Sequence, residues 1–171
     1  HNWWHLALFL IEQGDDLAAL ALYDTHVWGV CKEYSQDQIG AVSLLARLEL
    51  AGVDVGHRWQ DVAGFLAERT QDQVQPFLDM HYLYGLARAG RDAQAGALLR
   101  NVETFAATRA PELTRAAWQR VAVPACRGLL AHARGEHHVA VDQLGIALPR
   151  LLEIGGSHAQ RDAALRTLLE A

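Results

Sequence analysis

Lysine is all but absent from this 171-residue sequence: Lys32 stands alone, and the other cations are arginines spread along the chain. With a net charge of −5, the chain offers no basic footprint for nucleic acid and no polybasic cluster for a membrane surface. No run of about 18 apolar residues occurs, so a membrane-spanning helix is not expected. The only cysteines are Cys31 and Cys126, without CxxC spacing. They read as reduced, partly buried thiols, and a cytoplasmic setting fits them. Proline occurs four times and β-branched residues are sparse. Catalytic signatures are missing as well. Lys32 has no glycine-rich phosphate loop around it, and Gly155-Gly156-Ser157-His158 is not a GxSxG elbow.

What remains is apolar and helix-forming. Hydrophobic residues make up 51% of the chain, and alanine and leucine, which lose little side-chain freedom in a helix, dominate them. An all-α fold follows. Three glycines share one local frame: Gly14, Gly90 and Gly135 are each followed five residues later by alanine (Ala19, Ala95, Ala140) and nine residues later by Tyr23, Leu99 or Leu144. Glycine takes the left-handed conformation that ends one helix. The alanine then lets the next helix approach closely, and the larger residue fills the layer beyond it. This is the second half of a tetratricopeptide-type hairpin.

The expected architecture is therefore a stack of antiparallel helix pairs wound as a right-handed superhelix, with a plain helical bundle as the alternative. The gap between Gly14 and Gly90 leaves room for one degenerate repeat. Its first helix is expected over Asp37 to Ala51, with Ser35 and Gln38 at capping-box spacing. Gly52 to Gly56 would be the turn, and His57 to Arg69 the second helix. Ala110 to Gln119 reads as an extra segment, and Pro124 as a kink or a fresh start. Ser157 and Gln160 form a second capping-box pair before the final segment. Residues 1–171 read as a single repeat domain. The opening His1-Asn2-Trp3-Trp4 suggests the cut edge of a larger protein.

Three strings point further: His1 to Phe9 running on to Leu22-Tyr23-Asp24, Ser43 to Leu50 with Arg58-Trp59, and Ile154-Gly155-Gly156-Ser157-His158-Ala159-Gln160-Arg161-Asp162. Together they resemble the family of tetratricopeptide repeat protein 38, whose members are larger α-solenoids, and the chain resembles its carboxy-terminal part. The resemblance implies a soluble, cytoplasmic solenoid and supplies no substrate.

Candidate site residues are the polar groups set among apolar ones. His1 and His5 are one helical turn apart, and Asp24, His81 or His158 would complete a metal site if the chain curls inward. The glutamate of an HExxH motif is missing, so no metal, cofactor or catalytic residue is assigned. A polar ligand pocket would gather His1, His5, Asp24, Arg58, His81, His158, Gln160 and Arg161 on the concave face. The simpler expectation is that Asp24, Arg47, Arg58, Asp79, Arg161 and Asp162 form interhelical ion pairs. The tryptophans are expected mostly in the core, and His137-His138 in solvent. Binding of a protein or peptide partner is the leading function. A small-ligand binder or enzyme using the polar pocket is the alternative, and homodimer formation is a third reading.

Overall fold

The computed structural model describes residues 2–169, and all regular structure among them is helical. The elements are α1 (Asn2–Glu12), α2 (Asp16–Leu22), α3 (Ser35–Leu50), α4 (Arg58–Leu66), α5 (Pro76–Arg88), α6 (Asp92–Thr108), α7 (Glu112–Ala117), α8 (Val123–Ala133), α9 (His137–Ala147) and α10 (His158–Leu169). No described helix is long and apolar enough to cross a membrane.

The glycine frame does what its chemistry requires. Gly14, Gly52, Gly90 and Gly135 all have φ between 70° and 84°. In each case the next residue's amide donates to a carbonyl five positions back, Asp15 to Leu10, Val53 to Leu48, Arg91 to Leu86 and Glu136 to Ala131, all at 2.9 Å. These are four identical Schellman caps, at intervals of 38, 38 and 45 residues. The segment expected as a degenerate repeat thus has the same cap even though no alanine follows Gly52 at the expected place. Ala19, Ala95 and Ala140 are fully buried, where their missing side-chain bulk lets paired helices meet.

Each cap joins two neighbours in space: α1 with α2, α3 with α4, α5 with α6, and α8 with α9. The first helices of these pairs also pack in series, α1 on α3, α3 on α5 and α5 on α8. Two of the later first helices also touch the preceding second ones, α5 on α4 and α8 on α6. The buried apolar side chains form one continuous cluster from Trp4 to Ala164.

Three local expectations need correcting. The α3 N-cap is Tyr34 without a side-chain bond, and Gln38 turns inward to donate to the Lys32 carbonyl at 2.9 Å. Ser35 and Gln38 are therefore not a capping box. Pro124 does not start a fresh helix after a break. The backbone runs from α7 through a π turn, Trp118–Ala122, directly into α8, and the Val123 amide donates to the Trp118 carbonyl. The wider turn opens the ladder just where proline would clash with the carbonyl four residues back. The segment expected as an insertion is thus the start of that same helix. Trp3 is the tryptophan left outside, 46% exposed, while Trp4, Trp28, Trp59 and Trp118 are buried.

Candidate functional site

The polar groups that do come together lie under α10. This helix begins with the expected capping box: the Gln160 amide donates to Ser157 Oγ at 3.3 Å, and the Ser157 amide to Gln160 Oε1 at 2.8 Å. Gly155 and Gly156, both with positive φ, turn the chain so that α10 lies back against α3, α8 and α9. The buried guanidinium of Arg47 on α3 meets it. Arg47 donates to Ser43 Oγ at 2.6 Å and to the Ala159 carbonyl. It lies 3.8 Å from the Asp162 carboxylate and over the Trp4 ring. Burial lowers its pKa to about 10, an effect that the Asp162 charge opposes. Arg166 extends the network to Asp162 at 2.7 Å and Glu12 at 3.0 Å.

Beside Arg47 lies His81, 5% exposed. Its Nδ1 sits 2.7 Å from the Phe77 carbonyl, which makes Nδ1 the donor and leaves Nε2 as the acceptor. Burial lowers its pKa to about 4; the Phe77 bond works against this and the Arg47 charge adds to it. The ring is neutral at physiological pH. His81 and Gln160 line one cavity with Ser43, Tyr84, Leu129 and Thr167. Its volume is about 20 Å³, room for roughly one water and far below the several hundred Å³ of a typical ligand pocket.

The other candidates lie elsewhere. Asp24 and Arg58 form a two-pronged ion pair at 2.7 and 2.8 Å, joining the π turn Tyr23–Val27 to the first turn of α4. Asp24 is exposed, so the pair contributes no more than about 1 kcal/mol. Arg161 turns its Nη1 back to the carbonyls of Gly155 and Gly156, which fixes the turn. His158 is exposed at the mouth of a neighbouring cleft with Arg47, Asp162 and Arg166. His5 packs edge-on against Trp4, and His1 lies outside the described residues. Among the described residues no group of three His, Cys, Asp or Glu side chains is placed to hold a metal. A larger cleft of about 580 Å³, walled by Val74, Phe105, Trp118 and Leu152, contains none of the candidates.

Some of this arrangement was not anticipated. Ser43 is not among the candidate site residues, although Ser43 and Arg47 stand one helical turn apart in an otherwise leucine-rich helix, which is itself a signal. Tyr84 and His132, 3.2 Å apart across α5 and α8, carried no such mark. Asp79 departs from the ion-pair expectation: it is 1% exposed, and neither carboxylate oxygen has a hydrogen-bond partner among the described residues. No family model matches the chain, and no solved structure matches it.

Proposed function

We propose that the chain is a tetratricopeptide-like helical-repeat module that binds a protein or peptide partner, related to the tetratricopeptide repeat protein 38 family. The observation that supports this most is the recurrence of one cap, with Gly14, Gly52, Gly90 and Gly135 each turning a first helix into a second. Hairpins stacked in that way turn their first helices to one side, the usual ligand face of helical repeats. The reading is tested by panning a displayed peptide library against the full chain. Micromolar ligands whose binding weakens at least tenfold on substitution along α1, α3 or α5 are expected. A library that yields no ligand, or ligands indifferent to that face, would count against the module.

A second reading, self-association, is favoured by Trp3, Leu6 and Phe9, three exposed apolar side chains spaced along α1. Sedimentation should then show a concentration-dependent dimer that Phe9→Glu abolishes. A monomer across the accessible range would dismiss it. The enzyme alternative has the weaker support, because the candidate residues are dispersed and the cavity shared by His81 and Gln160 is too small for a substrate.

A further inference from the structure

The face on which such a module would take its ligand is covered here by the chain's own last helix. On α10 only Ala164 and Thr167 are fully buried, with Ala159 and Leu168 half-buried against the core, a modest apolar contact for a twelve-residue helix. Beneath it lie Val42 and Ala46 of α3, Met80 of α5 and Leu129 of α8, an apolar floor flanked by one cation, Arg47. Two buried polar side chains lie beside it: Arg47, which donates to the Ala159 carbonyl, and His81, which lines the same cavity as Ala163 and Ala164. Leu165 and Leu169 point outward, 45% and 75% exposed. The tether is Gly155-Gly156, whose positive φ angles belong to a turn rather than to a continuing helix. A modest contact, buried polar groups and a glycine turn are the features that allow a docked helix to exchange with an undocked state.

We infer that the groove between α3, α5 and α8 is a helix-binding site and that α10 is its resident intramolecular occupant. The inference rests on the module reading above and specifies the ligand of that face. α10 itself displays the required chemistry. An acidic residue, Asp162, meets Arg47; small residues follow at the next two positions, Ala163 and Ala164, and again at Thr167. The partner is therefore an amphipathic helix with an acid at one position and small side chains one, two and five residues later. Its apparent affinity is reduced by the fraction of molecules in which α10 is docked.

The experiment uses the full chain carrying Ala164→Arg, which places a cation beneath α10 close to Arg47. Asp162→Arg, at a partly exposed position, serves as the second variant if the first fails to fold. The probe is a fluorescein-labelled peptide of residues 157–169, read by anisotropy, with hydrogen exchange following residues 158–169. The expected result is loss of protection confined to 158–169 and peptide binding at least tenfold tighter than to the wild type. A peptide that itself carries Ala164→Arg should not bind. Lost protection without peptide binding, or equal binding to wild type and variant, would overturn the assignment, as would an α10 that stays protected in both variants. A dimer in which 158–169 remain protected assigns the groove to a second copy's α10 and against a partner helix. Library ligands that bind without competing with this peptide would leave the module standing and remove only the groove.

Discussion

Asp79→Asn is expected to stabilise the protein by about 2–4 kcal/mol at pH 8 and to change its stability by less than about 1 kcal/mol near pH 4. Asp79 sits in the first turns of α5 with no hydrogen-bond partner among the described residues. Burial raises its pKa from 3.8 to about 7, and the charge of Asp72 adds to the effect. Tyr82 and Cys126, the other titratable groups in its field, supply no positive charge. Between pH 4 and 7 the folded state therefore keeps a proton that the unfolded state has released. Stability falls as pH rises through that window, and the full penalty is present above it. Asparagine resembles the neutral acid and cannot ionise.

His81 works in the opposite direction. Its pKa is lowered to about 4, so its contribution is complete above pH 6.5 and is lost as pH falls toward 4. The two slopes oppose each other in the wild type, and Asp79→Asn should expose the histidine slope as a loss of stability on acidification. Urea unfolding at pH 4.5, 6.5 and 8 measures all of this. A variant equally destabilised at every pH would mean that the carboxylate has a partner in solution.

One substitution at two glycines should have opposite signs. A methyl group on Gly128 in α8 would lie 2.7 Å from Leu144 Cγ and 3.0 Å from the Leu144 backbone nitrogen. A backbone atom cannot turn aside, so α8 and α9 must separate, and Gly128→Ala should cost about 2–3 kcal/mol. Gly145 in α9 has nothing within 4 Å of the same methyl position. Gly145→Ala should therefore stabilise by about 0.5–1 kcal/mol through the unfolded state. Thermal melts of the two variants, measured side by side, give the signs directly. A neutral Gly128→Ala would mean that the seam between α8 and α9 is looser than described.

The parts of the fold legible in the sequence are those encoded locally. Gly14, Gly90 and Gly135 each carry their cap and its small partner within ten residues, so both conformation and burial could be read in place. Gly52 kept the cap but lost the alanine, which is why its hairpin looked degenerate. The Ser157–Gln160 box was legible for the same local reason. The Ser35–Gln38 pair had identical spacing and failed, because burying Gln38 competed with capping. The pairing of Asp24 with Arg58 followed from the rule that charges among apolar residues find partners, whereas Asp79 broke that rule and stays uncharged at low pH instead. The cleft under α10 was beyond sequence reading. Its Ala-Ala-x-x-Thr face is too weak an apolar pattern to announce what it covers, and His81 meets Gln160 only after the chain has folded back on itself.

The π turn at Trp118–Ala122 has one more effect. In an unbroken α-helix, residues eleven apart stand over one another, so Trp118 and Leu129 would share a side. The extra residue advances the helical phase by about 100°. Trp118 can then meet Phe105 of α6, with ring centres 4.7 Å apart, while Leu129 lines the cavity under α10. A single inserted residue thus lets one continuous helical run serve two neighbours that lie in different directions.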